Sequence, residues 1–180
     1  MKNIIQKISL FFILLIFASC STSQTGEKWS SLSYMYDSGP LPPIYQYSYT
    51  ITLNTNCEGG VVAFIGADPS NPSLTYEFKF SKDSIKILDN AVRKSKILEE
   101  EIGKLPEGQH PIGGYLEKVR VVLFDDNPNL DRPPRVKESP YFPIDKYKED
   151  LQNLYKTIVA FVPQKVWDDF EVKKQEYQSK

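Results

Sequence analysis

Between residues 45 and 53 the side chains alternate without a fault. Tyr45, Tyr47, Tyr49, Ile51 and Leu53 fall on one parity, and Gln46, Ser48, Thr50 and Thr52 on the other. A period of two puts every large residue on one face of a strand and every small polar residue on the opposite face, as in an antiparallel strand with one solvated side. Such a strand needs neighbours of the same kind, and they are present. Upstream, Trp29, Leu32, Tyr34 and Tyr36 alternate with Ser31, Ser33 and Met35 until Asp37-Ser38-Gly39-Pro40-Leu41-Pro42-Pro43 breaks the run. Downstream, Asn54 to Gly60 reads as a turn, and Val61 to Ile65 is a continuous apolar run, the pattern of a central strand covered on both faces. Leu74, Tyr76, Phe78 and Phe80 then alternate with Thr75, Glu77 and Lys79, which extends an antiparallel meander.

The period changes at Ser81. Ile85, Leu88, Val92 and Ser95 recur at helical spacing, so a helix capped by Ser81 is expected to reach Leu98 or Ile102 before Gly103. Tyr115 to Phe124 reads as another strand, with Glu117, Lys118 and Arg120 at its exposed end and Val121 to Phe124 at its buried end. Asp125 to Pro143 is proline-rich and aperiodic, longer than common loops, and therefore functional or draped over the surface. A second helix capped by Asp145 carries the stripe Tyr147, Leu151, Leu154, Ile158. Pro163 opens a third with Val166, Trp167 and Phe170 apolar. The expected fold is α+β: a twisted antiparallel sheet of four or five strands with two or three helices packed on one face.

The first twenty residues follow a different logic. Lys2 and Lys7 precede a run from Ile8 to Ala18 with only Ser9 polar. That is about half of the ~20 apolar residues that span a bilayer, so it is a signal segment rather than a permanent membrane helix. Ala18 and Ser19 are small, and Cys20 follows. Phe17-Ala18-Ser19-Cys20 resembles the lipobox of bacterial lipoproteins, with Phe17 where leucine is commonest. The resemblance implies cleavage after residue 19 and acylation of Cys20 (palmitate being one such chain), giving a lasting membrane anchor. Ser21 after the cysteine implies the outer rather than the inner membrane. On this reading residues 1–19 are a signal peptide, 20–28 a lipidated cysteine with a polar tether, and 29–180 one domain. Ser38-Gly39-Pro40-Leu41-Pro42-Pro43, Pro111-Ile112-Gly113-Gly114 and Val162-Pro163-Gln164-Lys165-Val166-Trp167 make that domain similar to the small α+β lipoproteins of bacterial envelopes. That likeness brings no activity with it.

Charge narrows the partners. The chain carries 22 basic and 23 acidic side chains for a net charge of −1. Loss of Lys2 and Lys7 with the signal peptide makes the remainder slightly more acidic. No strong positive field is left, which argues against nucleic acid as a partner. A chain of this size buries a sufficient core as a monomeric domain without staples. Of two cysteines, a lipidated Cys20 leaves Cys57 without an intramolecular partner, either as an inert thiol or for an intermolecular disulfide.

No catalytic set emerges, and no cofactor or metal is expected. His110 is the only histidine, it lies between Gln109 and Pro111 in a loop where it reads as a solvent-exposed turn residue, and no nucleophile elbow accompanies it. Asp125, Asn127 and Asn129 alternate as calcium ligands would, but Leu130 and Val136 replace the glycine and glutamate of an EF-hand loop. Glu99-Glu100-Glu101 and Asp168-Asp169 read as charged helix faces. The tyrosine row is expected to pack under a helix, with a stacking surface for sugars or a protein as the second reading. Candidate partner-binding residues are Tyr45, Tyr47 and Tyr49 on the sheet, and Arg132, Arg135, Tyr141 and Phe142 in the proline-rich segment. The function expected is that of a membrane-anchored binding or accessory protein. An inhibitor or immunity-type lipoprotein that blocks another enzyme with its loop is the alternative, and a hydrolase without histidine comes third.

Overall fold

The computed structural model describes residues 27–66, 72–125 and 133–179. Period-two patterning builds one antiparallel sheet from β1 (Trp29–Asp37), β2 (Tyr47–Asn54), β3 (Glu58–Ile65), β4 (Leu74–Lys79), β5 (Leu116–Leu123) and β6 (Val136–Glu138). Their order is β4-β3-β2-β1-β5-β6, so the first four form the expected meander and β5 returns to the free edge of β1. Register follows parity. Tyr34 pairs with Ile51 and Val119, Ile51 with Val61, and Val61 with Tyr76, giving one inward-facing row across five strands.

The helices α1 (Lys82–Lys94), α2 (Asp145–Ala160) and α3 (Gln164–Gln178) cover that inward face. Leu32, Tyr34, Ile51, Leu53, Val119 and Val121 from the sheet meet Leu88 and Val92 of α1, Leu151, Leu154 and Ile158 of α2, and Val166 of α3, all fully buried. Each buried aliphatic side chain of this kind contributes about 1.5–3 kcal/mol of transfer free energy. The α+β class is therefore the observed one.

Several details differ from the expectation, each for a local reason. The sheet has six strands, because residues 136–138 inside the proline-rich segment pair with β5. Glu138 on β6 reaches Lys118 at 2.6 Å and Arg120 at 3.4 Å, which ties this short strand to the edge. The run Val61 to Ile65 is covered on one side only. Val61, Ala63 and Ile65 are buried, whereas Val62 and Phe64 are half-buried on the face away from the helices. Tyr45 is not on a strand: Pro42 and Pro43 fold residues 43–45 into a single 3-10 turn, and the Tyr45 amide donates to the Pro42 carbonyl at 2.8 Å.

The Ser81 hydroxyl caps α1 as expected, accepting from the Ser84 amide at 3.2 Å. That helix nevertheless stops at Lys94. The buried Ser95 hydroxyl donates to the Val92 carbonyl at 2.6 Å, and Lys96 turns the chain through φ +62°. Ile97, Leu98 and Ile102 then enter the core outside any helix, and Glu99 to Glu101 lie in a turn rather than on a helix face. At α2 the N-cap is Ile144, and Asp145 is the first helical residue, bound to Lys148 at 2.6 Å. Pro163 is likewise the N-cap of α3 and not its first residue.

Candidate functional site

Where β1 ends and β5 begins, the helix layer leaves a recess. Its walls come from two stretches that hold each other. The Leu105 amide donates to the Phe142 carbonyl at 2.8 Å, and the Ile144 amide to the Gly103 carbonyl at 3.0 Å. His110 pins the same corner: its Nε2 donates to the Leu105 carbonyl at 3.0 Å, and its ring lies 4.6 Å from that of Phe142. The only histidine thus holds a loop in place, half-buried instead of exposed in a turn.

The cleft so formed measures about 290 Å³ and is lined by Tyr115, Tyr141, Phe142 and Tyr155, with Glu117 and Gln152 as its polar groups. Lys148 also borders it. Tyr115 is 54% exposed and Tyr141 46%. The rings of Tyr115 and Tyr36 stack at 5.6 Å, and Tyr36 stacks in turn on Tyr49 at 4.9 Å, so the cleft wall continues into the tyrosine row beneath the helices. Gly39 supports this wall from behind. Its φ is +78°, and a Cβ there would overlap the Gly114 carbonyl, so the turn after β1 packs directly on the residue before Tyr115.

Glu117 occupies the floor. It shares parity with Val119, Val121 and Leu123, which turns it toward the helices instead of solvent. The Tyr34 hydroxyl donates to its Oε1 at 2.5 Å and the Gln152 amide to its Oε2 at 2.7 Å. Burial, and next the bond to Glu117, raise the Tyr34 pKa far above the ordinary tyrosine range. Beside it, Ser139 is buried, accepts from the Val119 amide at 2.9 Å and lies 2.9 Å from the Tyr155 hydroxyl. Tyr155 is pushed up to about 12, chiefly by burial; its bond with Ser139 pulls the other way and the charge of Glu117 adds to the rise.

The residues singled out in the sequence are distributed unevenly around this cleft. Tyr141 and Phe142 line it. Tyr47 and Tyr49 lie under α3: Tyr47 is 5.7 Å from the Phe170 ring with Lys174 4.3 Å above it, and Tyr49 is 5.1 Å from Trp167. Tyr45, 52% exposed, stands apart on its 3-10 turn. Arg135 pairs with Glu27 near the start of the described chain. Cys20, Arg132 and all but the first residue of the calcium-like run lie outside the described residues. Among the described residues no group of three His, Cys, Asp or Glu side chains could hold a metal. Cys57 occupies the β2–β3 turn at φ +67°, half-buried, with its carbonyl accepting from Phe80 at 3.0 Å.

Sequence reasoning missed Glu117, Gln152, Tyr115 and Tyr155 as members of one site. Glu117 carried a signal: on a strand read by parity, an acid in register with three buried aliphatic residues faces inward.

No protein-family model and no curated protein matches this chain. Among solved structures it is similar to an SsgA-like sporulation-specific cell division protein from Thermobifida fusca, at 10% identity over 85% of this chain and 99% of that one. The TM-score is 0.22, too low for that likeness to carry an argument.

Proposed function

We propose that this chain is a lipid-anchored protein of the bacterial envelope, at the outer membrane, that works by binding and not by catalysis, with the aromatic cleft as its binding surface. The observation that carries the binding reading is the convergence of Tyr141 and Phe142 with Tyr115 and Tyr155 around an open recess that also holds Glu117, Gln152 and Lys148. Ligand sites are typically concave and aromatic, with a few placed polar groups that fix orientation. The anchoring reading rests on Lys2, Lys7, the apolar run and Phe17-Ala18-Ser19-Cys20. Its test is metabolic labelling with a clickable palmitate analogue: the chain takes label, and Cys20→Ala does not. For the cleft, a photo-crosslinking residue at position 141 is expected to give one discrete adduct in cells, while one placed on the far sheet face at Thr75 gives none. Equal labelling of Cys20→Ala removes the anchor, and indistinguishable adducts from 141 and 75 remove the cleft as the binding surface.

A further inference from the structure

The cleft holds one acid, Glu117, and has Lys148 at its border. Both oxygens of Glu117 receive hydrogen bonds, but from neutral donors, the Tyr34 hydroxyl and the Gln152 amide. No lysine or arginine among the described residues forms an ion pair with it. Two lysines stand at the margin, and each is paired with another acid. Lys148, which borders the cleft, is held by Asp145 at 2.6 Å, and Lys118, whose ammonium lies 5.7 Å over the Tyr141 ring, by Glu138 at 2.6 Å. A half-buried carboxylate with neutral partners alone is an unusual arrangement, since charges withdrawn from water are ordinarily paired. Each carboxylate oxygen also keeps acceptor capacity after one hydrogen bond.

The walls select the same kind of ligand. Tyr115, Tyr141, Phe142 and Tyr155 line the recess, and the face of an aromatic ring attracts a cation by its quadrupole. An anion would meet the Glu117 charge, and a neutral ligand would leave it uncompensated. A volume of about 290 Å³ suits a small molecule. We infer that the cleft binds a small organic ammonium ion, with its N–H groups on Glu117 and its alkyl body along the rings of Tyr115, Tyr141 and Phe142. This inference rests on the cleft being the binding surface and adds the chemistry of what enters it.

The test is calorimetric titration of the full-length chain at neutral pH with n-pentylammonium and, in parallel, 1-pentanol, which has a similar apolar body and no charge. Pentylammonium is expected to bind saturably and at least about tenfold more tightly than pentanol, because a charge-assisted hydrogen bond replaces a neutral one. Glu117→Gln should erase that preference, and Tyr141→Ala, at an exposed position outside the core, should weaken both probes. Equal binding of pentylammonium and pentanol overturns the ammonium assignment while leaving the cleft as a binding surface. Absence of binding by both probes also overturns the ammonium assignment, while the cleft as a binding surface is judged by the crosslink from position 141. A Glu117→Gln chain that still prefers the amine also overturns the assignment. The comparison on the unsubstituted chain stands even if a variant fails to fold.

Discussion

The Tyr34 hydroxyl and the Glu117 carboxylate meet at 2.5 Å across a separation of 83 residues, and their bond joins the covered core of the sheet to the floor of the cleft. Tyr34 is fully buried, so its hydroxyl has no water to turn to. Tyr34→Phe removes the donor and leaves Oε1 of Glu117 short of a partner. A loss of about 1–3 kcal/mol is expected, read as a lower midpoint in urea unfolding. An unchanged midpoint would mean that water replaces the hydroxyl.

Alkaline pH should weaken the fold through the buried tyrosines. Tyr155 has a pKa of about 12 in the fold against 10.0 for a free tyrosine, and Tyr49 is likewise pushed up to about 12, first by burial. A raised pKa means that the folded state holds its proton after the unfolded chain has lost it. The stabilisation is therefore complete below pH 10.0 and falls away as pH rises toward about 12. The urea midpoint should fall from pH 9 to pH 11 for the parent chain, and by less for Tyr155→Phe.

Lys96 bears φ +62° where α1 ends, a conformation that suits glycine. Lys96→Gly should stabilise the protein by about 1 kcal/mol by removing the Cβ clash of the left-handed region. Thermal unfolding at neutral pH measures it, and a lower melting temperature would show that the lysine side chain matters more than backbone strain.

Gly39 leads to the opposite expectation. Its φ of +78° and the adjacent Gly114 carbonyl leave no room for a methyl group. Gly39→Ala should displace the loop that carries Tyr115 and cost roughly 2 kcal/mol or more. Near-UV circular dichroism would show whether the stacked tyrosines shift with it.

Much of the sheet was legible because parity is a local property. Tyr47, Tyr49, Ile51 and Leu53 fall where alternation places them, and so does the Ser81 cap. What escaped depends on partners distant in sequence. Val136 to Glu138 become a strand only because β5 presents an edge to them. Tyr45 leaves the tyrosine face because two prolines fix the preceding backbone, which alternation alone does not register. The cleft is harder still to read, since Tyr115 precedes β5 while Gln152 and Tyr155 lie on α2, far along the chain. Hydrogen bonds between residues 103–105 and 142–144, with His110 against Phe142, bring its walls together.

The direction of β1 carries a consequence for orientation at a surface. The chain enters this strand at Trp29, and Glu117 is paired with Tyr36 near its other end. Nine residues of strand measure roughly 30 Å. If Cys20 carries a fatty chain as proposed, the nine peptide steps from Cys20 to Trp29 reach at most about 30 Å. The protein body would then hang close to the lipid headgroups by one pole, with the mouth between Tyr115 and Tyr141 at the opposite pole, turned outward to whatever diffuses past.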